Sequence, residues 1–368
     1  MTARGTDVAD PLDLDYRPRM PSRTDYRIGV VGCGGIVRGA HLPAYKAAGF
    51  PVTGIWNRTA DTARAAAAVF GIPRVFETWE ELVASPDIDV VDIALPPHLH
   101  PAIAIAAVQH GKHVMVQKPM ATRYTDALRI VEAARRAGVK LAVNQNGRWE
   151  PSIRAARTLI ARGLLGTRLT AFLELRTQQP WQPFWTDRDN YHQVMLLGMS
   201  IHHIDQFRFL FGDPLRVSAV TREVPGQPWS GDAIAHYQLC YKDGFFASAL
   251  DDGAAWTRDV GVRFRITGTD GVIAGTMGWP TDTWSTLRYT SRSTGSWQEP
   301  LFQTRWFPDA FMGTMGDLFN AIENDCQPTI SGEDNLETLR TVFACYRSAR
   351  EHRAVAPHEI TGQGVDES

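Results

Sequence analysis

The strongest constraint on this chain lies between residues 26 and 40. An apolar run, Ile28-Gly29-Val30-Val31, becomes a glycine cluster, Gly32-Cys33-Gly34-Gly35-Ile36-Val37, where a helix is due to begin. A first strand that passes into a helix through glycines has the form of a pyrophosphate-binding turn and marks one end of a parallel sheet. Gly32 allows the tight turn, and Gly34 lets backbone N–H groups approach phosphates at the positive end of the helix. Cys33, Gly35 and Ile36 complete the turn. Val37 stands where a third small residue is usual, so helix and strand are expected slightly further apart. A glycine-rich turn without a ligand is the plainer alternative.

The second strand bears on the choice of nucleotide. A carboxylate is expected about 20 residues on, at that strand's end. Here Pro51–Trp56 is strand-like and ends at Asn57-Arg58-Thr59, so the position is present and the acid is not. Asn57 can hydrogen-bond a ribose and repels no phosphate. Arg58 can pair with a 2′-phosphate, lie over an adenine, or stand in solvent as a turn cation. NADP is therefore permitted and NAD is not excluded.

At 368 residues the chain divides into two domains behind a short arm. Residues 1–25 are polar and proline-punctuated and read as an extended arm. Leu12, Leu14, Tyr16 and Met20 would pack it on a neighbouring subunit, with simple disorder the alternative. Residues 26–150 alternate strands with helices, which implies a parallel, doubly wound sheet. Residues 151–368 change to longer alternating strands, with helices near 152–162, 309–324 and 335–351. That pattern is an α+β domain with a large, mostly antiparallel open sheet, which needs one face covered and so implies a homo-oligomer, dimer or tetramer. Net charge is −2, which gives no footprint for nucleic acid or membrane, and no apolar run reaches a bilayer's width. Four scattered cysteines without metal spacing, and no secretory signal, point to a cytoplasmic protein.

Two further segments carry chemistry. Gly111–Pro119 places Lys118 at the C-terminal end of a parallel strand, where open α/β sheets bind ligands, and Pro119 favours a cis bond there. A lysine so placed can donate to a substrate hydroxyl or shuttle a proton. Tyr191–Asp205 reads as a helix running to about Phe211, with Gly198 and His202 on one face. Neighbouring His202 and His203 diverge by about 100°, so they cannot easily share an ion, and no metal is expected. Eight of the eleven tryptophans lie beyond residue 150. Most read as core, while Trp181 and Trp185, beside prolines in a loop, are candidates for stacking on a sugar.

Together these segments resemble the glucose–fructose oxidoreductase / inositol dehydrogenase / rhizopine-catabolism (Gfo/Idh/MocA) family over about residues 26–355. Smaller echoes are Leu95–His100, Asn144–Pro151 and Thr267–Gly271. The resemblance implies an N-terminal Rossmann domain binding NAD or NADP, and a hydride passed to or from a ring carbon of a sugar, sugar acid, cyclitol or glycoside. It implies that Lys118 touches nicotinamide and carbinol and that His202 acts as general acid/base. It also sets Leu95, Pro96, His100, Gln117 and Asn146 at the cofactor, and Arg148, Trp149, Tyr191, His192 and His203 at the substrate.

The chain departs from that family twice, with Gln117 for the motif glutamate and Gly198 for the helix aspartate. Both changes remove negative charge near Lys118, which should lower its pKa, and His202 loses an acidic partner. A larger or anionic substrate, such as a glycoside or sulfonated sugar, follows as the expectation. The alternative is an NAD-dependent glycosidase that oxidises, eliminates, hydrates and reduces. Lys118, His202, Tyr191 and His192 are its available bases, although Tyr191 and His192 read equally as structural. A cofactor-sensing protein without activity is the third reading, and Lys118 and His202 argue against it.

Overall fold

A computed structural model describes residues 13–177, 186–187, 191–256, 261–279 and 283–362. The expectations for Leu12, Trp181 and Trp185 fall outside the described residues. Six strands, β1 (Ile28–Val31), β2 (Val52–Trp56), β3 (Arg74–Val75), β4 (Val90–Ile93), β5 (His113–Gln117) and β6 (Leu141–Asn144), pair in parallel in the order β3-β2-β1-β4-β5-β6. Strands β1 and β4 are buried along their whole length, as a sheet covered on both faces requires. Helices α1 (Leu42–Ala48), α2 (Ala60–Phe70), α3 (Trp79–Ala84), α4 (His100–Gln109) and α5 (Tyr124–Ala137) supply the cover. Helices α1, α2 and α5 each stop at a left-handed glycine (Gly49, Gly71, Gly138), the ordinary way to satisfy a last carbonyl.

After α6 (Pro151–Ala161) the chain builds a second sheet. Its strands are β7 (Arg168–Arg176), β8 (Arg216–Arg222), β9 (Ile234–Cys240), β10 (Phe246–Asp252), β11 (Val262–Gly268), β12 (Gly271–Met277) and β13 (Thr286–Ser291). The order is β13-β12-β11-β7-β10-β9-β8, parallel between β7 and β10 and antiparallel elsewhere. Ala171, Leu173 and Leu175 face the core, while Phe172 on the opposite face is 49 % exposed. Helices α7 (Ile201–Phe211), α8 (Ala310–Glu323) and α9 (Gly332–Glu351) complete the fold. The chain then returns to the first sheet, because the Val143 N–H donates to the Ile330 carbonyl at 2.8 Å along the β6 edge. One apolar core therefore runs through both sheets.

Strands β3, β8 and β12 were not expected from the sequence. Strand β3 is two residues long, and β8 is an edge strand with arginines at both ends. Strand β12 contains Gly275, where a Cβ would stand 2.3 Å from the Thr286 carbonyl oxygen, so a residue that reads as a turn is required by close strand approach.

Two expectations need correction. The histidine helix does not begin at Tyr191. Residues 191–194 are irregular, and a wide helical turn over Leu196–Ser200 precedes α7. The cause is Asp232, whose buried carboxylate accepts from the Val194 and Leu196 N–H groups at 2.8 Å and so caps the helix there. The second expectation concerns two arm residues assigned to a neighbouring subunit. Leu14 and Tyr16 are buried on their own chain, with the Tyr16 ring edge-on to Phe302 at 5.0 Å and its hydroxyl accepting from the Gln303 N–H at 3.3 Å.

Tyr16→Ala removes that buried ring. It is expected to lower unfolding free energy by about 3 kcal/mol in urea titration. A loss under about 0.5 kcal/mol would mean that the arm is not docked.

Candidate active site

The glycine turn at the end of β1 is fixed by a close approach. Gly32 has φ +107°, and a Cβ there would lie 2.3 Å from the Ala94 carbonyl oxygen. No side chain but hydrogen fits in that conformation and space. At Gly34 and Gly35 the opposite holds, because a Cβ would meet nothing within 4 Å. The helix that follows opens with a wide turn over Val37–His41 and has no side-chain cap. A bare helix N-terminus behind two open glycines suits a pyrophosphate, so the residues present fit a dinucleotide. Val37 is fully buried, and Ile36 is partly buried against the same core.

Asn57 closes the turn from the second strand. Its Oδ1 accepts from the Cys33 N–H at 3.0 Å, and its Nδ2 donates to the Thr59 carbonyl at 3.1 Å. One lone pair of Oδ1 is thereby committed to the protein. Arg58 is exposed beside it.

Lys118 follows β5 directly, and the Lys118–Pro119 bond is cis. Its amine donates at 2.6 Å to the carbonyl oxygen of Gly198, one turn before His202. A main-chain oxygen thus meets the amine on the turn where the family's aspartate would stand. Burial lowers the Lys118 pKa to about 8. Gln117 is buried, and its Oε1 accepts from the Lys118 N–H at 2.8 Å.

His202 lies on the first turn of α7, 6 % exposed. Its Nδ1 is buried without a partner, and Trp306 meets the ring edge-on at 5.9 Å. Burial, then the Lys118 charge, then His203 hold its pKa well below the usual imidazole value. Trp306 is oriented in turn by donating its Nε1–H to the Asn146 Oδ1 at 2.7 Å. The structure therefore joins Lys118, Gly198, His202 and Asn146 in one contiguous set.

The loop after β4 flanks this set. His100 is fully buried between the carbonyls of Leu95 (2.9 Å) and Pro119 (3.0 Å), and burial drops its pKa to about 4. It braces the Leu95-Pro96 loop against Lys118-Pro119 rather than presenting a ring to a cofactor. Two residues earlier, the His98 Nδ1 lies 2.7 Å from the Tyr191 hydroxyl. Burial raises the Tyr191 pKa, so the phenol keeps its proton. His192 is exposed and takes no part in this pair.

Three residues expected at the substrate are engaged elsewhere. Arg148 is buried, donates through Nε and one terminal nitrogen to both oxygens of Asp205 at 2.7 Å, and also bonds Asp334 and the Thr329 carbonyl. Trp149 is 5 % exposed and packs on Gly313, where a Cβ would come within 2.0 Å of the indole. His203 is fully buried, with Nδ1 at 2.7 Å from the Asp251 carboxylate, which also accepts from the Tyr237 hydroxyl. Among the described residues no group of three metal-ligating side chains comes together.

The sequence reading missed His98, Trp306 and Asp232. His98 stood inside the Leu95–His100 echo, where Leu95, Pro96 and His100 drew attention instead. Trp306 and Asp232 lie far along the chain from the residues they orient, and no local spacing marks them.

Comparison with known proteins agrees with this architecture. A model of the Gfo/Idh/MocA oxidoreductase family's NAD-binding Rossmann fold matches residues 26–145, and one of the family's C-terminal alpha/beta domain matches residues 157–356. A D-apiose dehydrogenase of Paraburkholderia graminis is 28% identical over 355 residues, covering 90% of this chain and 89% of the relative. A 1,5-anhydro-D-fructose reductase of Ensifer adhaerens is 29% identical over 327 residues, covering 88% and 96%. The crystal structure of an oxidoreductase from Agrobacterium radiobacter in complex with NAD+, L-tartaric acid and magnesium has the same fold. Its TM-score is 0.82 at 22% identity, over 92% of this chain and 100% of that one.

Removing Arg148 would take the bidentate partner from the buried Asp205 carboxylate, whose remaining cation, Arg208, stands 3.9 Å away. Arg148→Met is expected to cost about 3–5 kcal/mol of unfolding free energy, the usual penalty for an orphaned buried charge. Arg64→Met, which breaks an exposed pair with Asp61, should cost under about 1 kcal/mol. Equal losses in the two variants would contradict the structural role assigned to Arg148.

Proposed function

Because this chain belongs to the Gfo/Idh/MocA oxidoreductase family, we propose that it transfers a hydride between a nicotinamide dinucleotide and a carbinol carbon of a carbohydrate. The single observation that carries this reading is the Lys118 amine held 2.6 Å from the Gly198 carbonyl, one helical turn from His202, at the carboxyl end of β5. Relatives named for apiose and anhydrofructose support a sugar-like substrate. Gly32, Cys33, Gly34, Gly35 and Ile36 would hold the pyrophosphate, and Asn57 and Arg58 would meet the adenosine ribose. Bound there, the dinucleotide supplies the hydride acceptor. Lys118 orients the carbinol hydroxyl and, in its neutral form, takes its proton, and His202 shares that proton transfer. Near pH 8 about half of the amine is neutral, whereas an ordinary lysine would be almost fully charged.

The electrostatics also bear on substrate class. Among the described residues no side-chain carboxylate is bonded to Lys118, and His202 has no acidic partner, so an anionic group on the substrate would meet little repulsion. A glycoside, sugar acid or sulfonated sugar fits this setting. A redox-neutral glycoside cleavage is a second reading. It needs a proton acceptor beside the oxidised carbon, and the His202 Nδ1, buried without a partner, would be one.

The outer face of the second sheet carries Phe172, Phe246, Leu250 and Val220, apolar groups that a second copy of the chain would cover. A homo-oligomer through this face is part of the proposal. So is a reducing, cytoplasmic setting, with Cys33, Cys240, Cys326 and Cys345 all free thiols. Among the described residues no helix is long and apolar enough to cross a membrane.

The test is a screen of sugars, sugar acids and nitrophenyl glycosides with NAD and with NADP, following absorbance at about 340 nm, the reduced-nicotinamide band, and aglycone release together. Accumulating reduced cofactor supports the dehydrogenase, whereas aglycone release without it supports the cleavage reading. Neither signal with any substrate would contradict both. In the oxidation direction kcat is expected to rise as pH increases through about 8, following loss of the Lys118 proton. Lys118→Met and His202→Ala should each lower kcat by at least about 100-fold and leave NADH binding, read by fluorescence, within about threefold. A fall in NADH binding that matches the fall in rate would assign both residues to the cofactor instead.

A further inference from the structure

A buried polar chain runs beneath Lys118 and enters none of the roles assigned so far. Its members come from α1, the turn before it and neighbouring strands of the parallel sheet. The Tyr45 hydroxyl donates to Asp92 Oδ2 at 2.9 Å. His41 Nδ1 lies 2.7 Å from the same oxygen. His41 Nε2 lies 3.0 Å from Gln117 Nε2, and Gln117 Oε1 accepts from the Lys118 N–H at 2.8 Å. Tyr45, His41 and Asp92 are fully buried, and Gln117 is 8 % exposed.

The protons along this chain can be assigned from one obligatory donor. The Lys118 backbone N–H can only donate, so the Gln117 oxygen must face it. The Gln117 NH2 therefore faces His41 Nε2, which must accept. A neutral imidazole that accepts at Nε2 carries its proton on Nδ1, and that proton goes to the Asp92 carboxylate. Each bond fixes the sense of the next, from the helix to the main chain of Lys118.

We infer that His41 is a positioning residue for Lys118: as the Nδ1–H tautomer it accepts from Gln117 and turns the glutamine carbonyl onto the lysine backbone, so that the side chain leaves β5 toward Gly198. Lys118 is then held at both ends, by Gln117 at its amide and by Gly198 at its amine. The inference rests on the proposed role of Lys118 in proton transfer, and its test needs no substrate.

The arrangement also gives the chemical meaning of glutamine at 117. A glutamate in its place would set a carboxylate against the accepting Nε2. Two acceptors repel, and the contact survives only if the imidazole gains a proton and bridges the Asp92 carboxylate and the new one. The buried network would keep a single net negative charge, but that charge would move closer to Lys118. Such a shift favours the ammonium form and raises the lysine pKa. The groups facing His41 are Asp92 on β4, Tyr45 on α1, Gln117 on β5, Asn144 Nδ2 on β6 at 3.5 Å and the Phe311 ring on α8. Those acting on the Lys118 amine are the Gly198 carbonyl and His202.

The experiment is nitrogen NMR on the full chain, labelled at histidine and at its five lysines. His41 and Lys118 are assigned from His41→Gln and Lys118→Met. In the unmodified protein, His41 should be the Nδ1–H tautomer. In Gln117→Glu, His41 should carry both protons at about pH 7. The Lys118 midpoint should rise by roughly one pH unit, the size of one nearby charge. In Gln117→Glu/His41→Gln a donor again faces an acceptor, now an amide against a carboxylate, and the fold should recover stability lost in the single variants. An Nε2–H tautomer or an imidazolium in the unmodified protein would overturn the inference, and that measurement stands even if no variant folds. An unmoved Lys118 midpoint in folded Gln117→Glu would equally overturn it.

Discussion

The site depends on how helix α7 is held, and that is the work of the Arg148–Asp205 ion pair. Asp205 lies one turn beyond His202, so whatever fixes Asp205 fixes the imidazole. Arg148 bonds both of its oxygens, and the Thr338 hydroxyl adds a third bond at 2.8 Å. Arg208, on the same helix, donates to Thr338 at 2.6 Å and to Asp213 at 2.6 Å, and reaches Asp334. These charges tie α7 to α9 and to the turn that follows the parallel sheet. Burying two arginines is costly unless every donor finds an acceptor, and the paired carboxylates meet that condition. The return is geometric, because a helix carried by the second sheet is set at a defined distance from the edge of the first.

On that frame the active-site electrostatics follow from what is absent around one amine. Lys118 ends in a buried contact with a main-chain oxygen, and burial favours its neutral form. His202 keeps a buried nitrogen without a partner and lies near a cation. Both groups are therefore held toward their neutral forms rather than as a charged pair. The usual arrangement in the resembled family sets carboxylates beside the lysine and the histidine. Glycine and glutamine here make a pocket that leans positive whenever Lys118 binds a proton, which is why an anionic substrate fits the proposal.

Local features of this site were legible in the sequence, and long-range partnerships were not. The glycine turn could be read because Gly32 meets a steric demand set within a few residues and by the adjacent strand. Lys118 could be placed because a short apolar strand ends directly before it. His202 could be singled out, but the start of its helix could not, since a carboxylate at Asp232 decides it. Arg148, Trp149, His203 and His100 were expected to face ligands because the family resemblance implied it. The first three are instead consumed by partners distant in sequence, Asp205, Gly313 and Asp251, and His100 by two loop carbonyls. The arm gave the same lesson, because Tyr16 is held by Phe302 and Gln303, far along the chain. The two-domain architecture itself followed from periodicity, and strand β12 escaped only because its glycines imitate a turn.

The central claim is that the Lys118 amine and the His202 imidazole serve one substrate hydroxyl beside a nicotinamide seated above the glycine turn. The most direct measurement is a crystal structure of the protein with NADH and a slowly turned-over sugar or sugar acid. The account expects both side chains within hydrogen-bond distance of the same carbinol oxygen, with the pyrophosphate on the N–H groups of Gly34 and Gly35. A sugar bound elsewhere, or a hydroxyl that Lys118 touches and His202 does not approach, would contradict it.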